Sequence, residues 1–218
     1  MAKFSRSDDT LDSLAAAIRA CRICADQPTG APLPHPPRPV LRVSAGARLL
    51  IAGQAPGIRV HNTGFPFNDP SGDRLRLWMG VDRDVFYDES RIAVAPMGFC
   101  FPGWDADKGD LPPRRECRAH WHDRLFAQMP RLETILAVGV VAQDYHLRRL
   151  GLPRGSGETM TQTVRRWTDF QHLRPRVIPL PHPSWRNSGW LKRNPWFESD
   201  LLPQVRQAVR DALQPATR

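Results

Sequence analysis

The chain has 218 residues, a formal net charge of +9 and an isoelectric point near 10.4. This length can bury a sizeable core and fits one domain. The excess of arginine favours a polyanionic partner, although a proline- and arginine-rich composition is an alternative explanation of the charge. No apolar stretch approaches the roughly 18 residues of a membrane span, and residues 1–9 lack the apolar core of a secretory signal. We therefore expect a cytoplasmic protein without a membrane segment.

The first predicted element is a short amphipathic helix. Residues 8–10 are of the capping type, and the apolar residues after them repeat at helical spacing. The helix ends where Cys21 and Cys24 follow, and a proline-rich connector comes next. We assign this helix and connector to residues 1–45 of a single domain that spans residues 1–218.

Four short apolar runs, each followed by turn residues, have the length and composition of buried parallel strands. They lie at residues 48–52, 91–95, 134–138 and 176–180. Predicted helices alternate with them near residues 72–79, 113–129, 140–150 and 195–213. This alternation predicts an α/β fold, in the form of a three-layer α/β/α sandwich with a central four-stranded parallel sheet. Ligands of such sheets bind beyond the carboxyl ends of the strands, so the loops there are the places to search.

Three loops carry residue types that suit binding and chemistry. The first strand ends in Gly-Gln-Ala-Pro-Gly at residues 53–57, a tight turn whose backbone N–H groups can face a ligand. The segment Thr-Gly-Phe-Pro-Phe-Asn-Asp-Pro-Ser-Gly leads into a helix and brings Phe67, Asn68 and Asp69 together. The last strand ends in Leu-Pro-His-Pro-Ser, where two prolines stiffen the backbone around His182.

Taken together, these loops resemble the uracil-DNA glycosylase superfamily, whose first motif runs G-Q/E-x-P-G/Y and whose second is H-P-S. The resemblance extends from Cys21 to the final helix and is closest to the iron–sulfur branch. It implies a monofunctional DNA glycosylase of base excision repair, which flips uracil or a related deaminated or damaged base out of DNA and hydrolyses its N-glycosidic bond. The motifs contain no lysine that could act as a Schiff-base nucleophile, so we expect no strand cleavage. The implied partner is damaged DNA in the nucleoid, and nothing in the sequence indicates an obligate protein partner.

The resemblance also implies roles for residues in these loops. His182 donates a hydrogen bond to O2 of the departing base, and backbone N–H groups around Gln54 and Ala55 hold the same edge. Phe67 is the platform on which the flipped base stacks. The alternatives are a structural loop histidine at position 182 and ordinary core packing at position 67.

The first motif departs from the family in its acidic residue. Efficient uracil enzymes carry an aspartate where this chain has Ala55, and the iron–sulfur branch carries a glutamate where it has Gln54. Asp69 is the nearest substitute for the water-positioning carboxylate, although it could equally cap the following helix.

A second departure concerns recognition of the base. The iron–sulfur branch uses an asparagine four residues before its third cysteine, and Pro96 stands at that position. An amide can offer both a donor and an acceptor to a base edge, and backbone groups can do the same. The candidates to replace the asparagine are Asn68, Asn187 and the backbone of Met97 and Gly98.

The four cysteines form a C-x2-C pair, Cys21 and Cys24, followed much later by Cys100 and Cys117. A reducing cytosol disfavours two structural disulfides. Four thiolates can hold a [4Fe–4S] cluster or a zinc ion, and unrelated buried thiols are the other alternative. The iron–sulfur branch has the same arrangement, with its third cysteine just after the second strand, which implies a [4Fe–4S] cluster here.

The segment after the histidine motif interleaves aromatic and basic residues between positions 185 and 196. Such a loop suits contacts with phosphates and insertion into the base stack. Its candidate DNA-binding residues are Ser184, Arg186, Lys192 and Arg193. Packing of the tryptophans against the last helix is the alternative.

Two other functions compete with glycosidic hydrolysis. The first is a non-catalytic binder of damaged or single-stranded DNA on the same fold, in which Ala55 and Pro96 mark lost chemistry. The second is an unrelated nucleotide-binding α/β protein. The glycine turn lacks both Gly-Lys-Ser/Thr and the full Gly-x-Gly-x-x-Gly, which argues against the second.

Overall fold

A computed structural model describes residues 10–107 and 109–214 of the chain. Its strands are β1 (Leu49–Ala52), β2 (Ile92–Val94), β3 (Thr134–Val138) and β4 (Arg176–Leu180). Its helices are α1 (Leu11–Arg19), α2 (Ile23–Asp26), α3 (Ile58–Thr63), α4 (Pro70–Met79), α5 (Arg83–Phe86), α6 (Arg115–Ala127), α7 (Val140–Arg149), α8 (Met160–Arg165), α9 (Ser188–Arg193) and α10 (Leu202–Leu213). Short 3-10 turns lie at Trp167–Phe170 and Trp185–Asn187, and a π-helical turn at Phe197–Leu201 leads into α10.

The four strands form one sheet in the order β2-β1-β3-β4, and every neighbouring pair is parallel. In the register of the sheet, Ile51 of β1 lies between Val94 of β2 and Leu136 of β3. The predicted four-stranded parallel sheet is therefore confirmed, and the predicted strand ends differ from the observed ones by one residue at most.

Successive side chains of a strand point to opposite faces of the sheet. The apolar side chains on each face are buried against helices, so both faces are covered. On one face, Leu50 and Ile135 belong to a core formed with α1, α6 and α7. On the other face, Leu49 and Leu136 belong to a core formed with α4, α8, α9 and α10. The three-layer α/β/α architecture expected from the sequence is confirmed by this arrangement.

The sequence pattern located the long helices and missed the short ones. The helices α3, α5, α8 and α9 are each at most six residues long, too short for a clear helical periodicity. At α1, Thr10 is the N-cap and its side chain accepts a hydrogen bond from the backbone N of Ser13 at 3.2 Å. The predicted capping residues at positions 8 and 9 lie outside the described residues.

Within the described ranges, no helix combines the length and the apolar character needed to cross a bilayer.

Candidate active site

A cavity of about 720 Å³ lies at the carboxyl end of the sheet. Its walls come from the turn after β1, the residues after β2 and the loop after β4, as expected for a parallel sheet. The predicted site residues on these walls are Gln54, Ala55, Phe67, Asp69, His182, Ser184, Arg186 and Asn187. Residues far apart in the sequence thus meet in one cavity.

The turn after β1 is fixed by backbone hydrogen bonds from the segment that follows β2. The N–H of Met97 donates to the carbonyl O of Gly53, and the N–H of Gly98 donates to that of Gln54, both at 2.9 Å. Met97 is fully buried, and neither residue lines the cavity. The structure therefore places Met97 and Gly98 behind the turn with their N–H groups occupied, and their contact with the base stays a prediction.

Phe67 lies on the cavity wall with its ring over the first motif. A Cβ atom at Gly53 would stand 3.4 Å from Cζ of Phe67, so the glycine leaves space for the ring. The ring also contacts Phe86 edge to face, with 6.1 Å between the ring centroids. Phe67 is half-buried, which means that it packs against the core and also presents surface to the cavity.

The backbone of Phe67 adopts the left-handed region with φ of 54°, a conformation that costs energy for a bulky residue. Neighbouring groups hold it there. The phenol of Tyr87 donates to the carbonyl O of Pro66 at 2.9 Å, and the buried guanidinium of Arg76 donates to that of Phe67 at 3.3 Å. Arg76 is itself paired with Asp73 at 2.6 Å. No motif in the sequence indicated these supports, because they depend on contacts between separate turns.

Asp69 serves as the N-cap of α4 and also lines the cavity. Its Oδ1 accepts a hydrogen bond from the backbone N of Gly72 at 2.8 Å. A carboxylate at this position is stabilised by the positive end of the helix dipole. The adjacent Asn68 lies off the cavity wall, and its Oδ1 accepts a hydrogen bond from Arg83 at 3.1 Å. The contact of Asn68 with the base stays a prediction, and it would require the amide to leave Arg83 and turn towards the cavity.

The loop after β4 is held by two side chains. Nδ2 of Asn187 donates to the carbonyl O of His182 at 2.7 Å, so this amide supports the histidine from within its own loop. Nη1 of Arg74 donates to the carbonyl O of Ser184 at 2.9 Å. Because Arg74 belongs to α4, which Asp69 caps, this contact fixes the position of the histidine loop relative to α4.

His182 is half-buried on the cavity wall. Burial lowers the pKa of His182, and the negative charge of Asp69 partly opposes this shift. The imidazole is therefore neutral at neutral pH and carries one N–H for donation. A neutral N–H donor of this kind can stabilise a developing negative charge by a hydrogen bond while it keeps its proton.

The loop before α6 adds a carboxylate that the sequence did not indicate. Asp110 lines the cavity, and a Cβ atom at Gly57 would stand 3.3 Å from its Oδ2. Burial raises the pKa of Asp110, and the nearby charge of Arg186 opposes the shift. Because residues 101–113 carry no recognisable motif, only the fold reveals that this loop reaches the first turn.

The tryptophans after the histidine motif divide into two groups. Trp185 is 76% exposed at the cavity wall, beside Arg186. Trp190 is buried, and its ring packs against those of Trp196 and Phe197 with centroid distances of 5.8 and 5.6 Å. Core packing thus describes Trp190 and Trp196, whereas the ring of Trp185 is largely exposed to solvent with the guanidinium of Arg186 over it.

Lys192 and Arg193, which were predicted to bind DNA, lie in the last turn of α9 and are exposed. They do not line the cavity. Their exposed charges leave them available to a polyanion that extends beyond the cavity.

The four cysteines line a second, small cavity. The indole N–H of Trp121 donates to Sγ of Cys21 at 3.2 Å, and the backbone N–H of Phe99 donates to Sγ of Cys117 at 3.4 Å. Burial raises the pKa of Cys24 to about 11, so a cation bound there would have to displace protons. Among the described residues, no group of three or more His, Cys, Asp or Glu side chains is arranged to hold a single metal ion.

The fold and the first cavity define an α/β protein whose candidate site lies beyond the carboxyl ends of parallel strands. The family model described as the uracil DNA glycosylase superfamily matches residues 42–206. The chain therefore belongs to the uracil-DNA glycosylase superfamily. The match includes all four strands and both motifs, and it begins after Cys21 and Cys24.

Proposed function

We propose that this protein is a monofunctional DNA glycosylase that removes uracil or a related deaminated or damaged base from DNA. The observation that carries the proposal is the convergence of His182, the turn at residues 53–57 and Phe67 on one cavity in a chain of this superfamily. A cavity of about 720 Å³ has room for a flipped nucleotide.

The charges that develop during hydrolysis suit these residues. Breaking the N-glycosidic bond leaves negative charge on the base and positive charge on the sugar. His182 supplies a neutral N–H donor to the base, and the turn around Gln54 and Ala55 supplies backbone N–H groups to the same edge. Phe67 offers its exposed surface to the face of the base, where an aromatic contact is worth about 1 to 3 kcal/mol.

The function is tested with oligonucleotides that each contain one uracil, hydroxymethyluracil, hypoxanthine or xanthine, in single- and double-stranded form. Alkali cleaves DNA at abasic sites, so excision of any of these bases gives a shortened strand. Binding to damaged or single-stranded DNA without cleavage after alkali would favour the non-catalytic binder. Absence of both binding and cleavage would contradict either function.

We further propose that Cys21, Cys24, Cys100 and Cys117 hold a [4Fe–4S] cluster. The support is that the side chains of all four cysteines line one cavity. In a cluster each thiolate binds a different iron, so its cysteines stand farther apart than the ligands of one zinc ion. The N–H groups of Trp121 and Phe99 donate to the sulfurs of Cys21 and Cys117. Hydrogen bonds of this kind also stabilise thiolates that bind a cluster. A bound cluster would join α1 and α2 covalently to the loop after β2 and to α6.

Anaerobically purified protein is expected to be brown and to contain iron and acid-labile sulfide. Cys24→Ser should remove the colour and lower the melting temperature, because the cluster links segments that are distant in the sequence. Ser44→Ala, a substitution at a half-buried position that does not line the cysteine cavity, is the matched control and should retain iron. Colourless wild-type protein with one bound zinc would establish the zinc alternative, and protein without either metal would contradict both.

DNA affinity is expected to fall steeply with salt concentration. Each neutralised phosphate contributes about 0.9 to the slope of log affinity against log salt, so replacing Arg186, Lys192 and Arg193 with alanine should reduce the slope by up to about 2.7. Arg148→Ala with Arg149→Ala is the control, because the last turn of α7 lies at the opposite end of the sheet from the cavity. Equal slopes for the triple variant and wild type would place the DNA contact elsewhere.

A further inference from the structure

The cavity wall carries two carboxylates, Asp69 and Asp110, although Ala55 leaves the first motif without one. Asp69 is already engaged, because its Oδ1 accepts the hydrogen bond that caps α4. Among the residues that the structure describes, neither a hydrogen bond nor an ion pair engages the carboxylate of Asp110. Asp110 can therefore bind a water molecule without giving up a contact.

The backbone of the loop fixes the position of Asp110. The N–H of Leu111 donates to the carbonyl O of Gly103 at 2.9 Å, and Trp104 and Asp110 form an antiparallel bridge. Farther out, Oδ1 of Asp105 accepts from the backbone N of Gly109 at 2.7 Å. These contacts close the loop and direct it towards the first motif.

The first motif in turn leaves space for this carboxylate. Oδ2 of Asp110 lies 3.3 Å from the point where a Cβ atom of Gly57 would stand, a distance that is shorter than an ordinary van der Waals contact. Only glycine at position 57 accommodates the acid without displacement. The carboxylate of Asp110 thus lies against the turn at residues 53–57, in which Ala55 provides no carboxylate.

The charge of Asp110 opposes DNA binding. Asp110 is a partly desolvated residue at the cavity wall of a chain with a net charge of +9, where a negative group repels incoming phosphates. Arg186 is the nearby cation, whereas Asp69 and Asp105 add further negative charge. An acid at this position does not favour contact with phosphates, so binding and excision are expected to respond differently to its removal.

We propose that Asp110 is the catalytic carboxylate that holds the attacking water and accepts its proton, a role that rests on the proposed glycosylase function. The water oxygen forms a bond to C1′ of the deoxyribose, and the C1′–N bond breaks with its electron pair passing to the base. One water proton passes to Asp110 and from there to the departing base. The products are an abasic deoxyribose and the free base, so atoms and charges balance.

The protonation of Asp110 suits this role. Burial raises its pKa, the charge of Arg186 lowers it, and the charges of Asp105 and Asp69 raise it. A proton acceptor is more effective when its pKa approaches the working pH. Since the group acts in its deprotonated form, excision should fall when the pH drops through this raised pKa.

The test compares Asp110→Asn with wild type in single-turnover excision and in binding of the same uracil-containing oligonucleotide. Excision should fall by about a hundredfold or more, the usual contribution of a general base. Binding should stay equal or become tighter, because a repulsive charge is removed. Asp110→Glu, which restores a carboxylate, should recover part of the rate and the acid limb of the pH profile.

Asp107→Asn is the matched control, since Asp107 is exposed in the same loop and does not line the cavity. It removes the same charge and should leave excision unchanged. Near-wild-type excision by Asp110→Asn, or a larger loss in Asp69→Asn than in Asp110→Asn, would overturn the assignment while leaving the glycosylase function intact. A wild-type protein that excises none of the bases would instead overturn the glycosylase function and the role of Asp110 together.

Discussion

Replacing His182 with alanine is expected to lower single-turnover excision about a hundredfold to a thousandfold, or roughly 3 to 4 kcal/mol. The reason is that, in the proposed function, His182 supplies the side-chain N–H that stabilises the charge developing on the base. The fold should not change, because the loop is held through the backbone carbonyl O atoms of His182 and Ser184. Binding of the uracil-containing oligonucleotide should change much less than the rate.

His172→Ala is the matched control for this prediction, because His172 is an exposed histidine just before β4 and lies off the cavity wall. It should excise like wild type. If His182→Ala retained near-wild-type excision while Asp69→Asn lost it, stabilisation of the leaving base would be the wrong explanation. The carboxylate at position 69 would then be the dominant group.

The pH dependence gives a second check on His182. Because burial lowers its pKa, the folded protein holds the imidazole neutral at pH values where a free histidine is partly protonated. The contribution of neutral His182 to the rate should therefore persist as the pH rises above neutral. It should change only when the pH falls through the lowered pKa and the imidazole becomes a cation.

The sequence was sufficient to predict the sheet and which loops meet at the cavity. Buried parallel strands are continuous apolar runs, so β1 to β4 stand out between turn residues. The carboxyl ends of such strands meet at one edge, which is why the turn at residues 53–57 and His182 were expected to lie together. This part of the prediction depends on local patterns and on a general rule of α/β topology.

The finer roles of side chains could not be predicted in this way. Asn68 and Asn187 are both amides beside motifs, yet one contacts Arg83 and the other supports the backbone of His182. Asp110 belongs to a loop without periodicity, and only the close approach of that loop to Gly57 brings it to the cavity. These contacts depend on how separate turns pack, which residue type and spacing do not determine.

Gly72 is the position where local and tertiary requirements conflict most strongly. Inside a helix, alanine is normally more stable than glycine by about 0.5 to 1 kcal/mol. Gly72 lies in the first turn of α4, and a Cβ atom there would stand 1.7 Å from the carbonyl O of Phe67. The strained backbone of Phe67 and the start of α4 thus occupy the same space, and only glycine allows both.

Gly72→Ala is therefore expected to destabilise the protein by about 1 to 3 kcal/mol, the usual cost of overpacking, which is opposite in sign to the helix preference. Gly72→Ala should also reduce excision at least as much as removal of the Phe67 ring by Phe67→Ala. The ring of Phe67 and the N-cap residue Asp69 would both have to move. Thermal unfolding and single-turnover excision measure the two effects. Gly30→Ala is the control, because a Cβ atom there meets nothing within 4 Å. A Gly72→Ala protein as stable and as active as wild type would mean that Phe67 adopts another backbone conformation in solution and is not a fixed platform for the base.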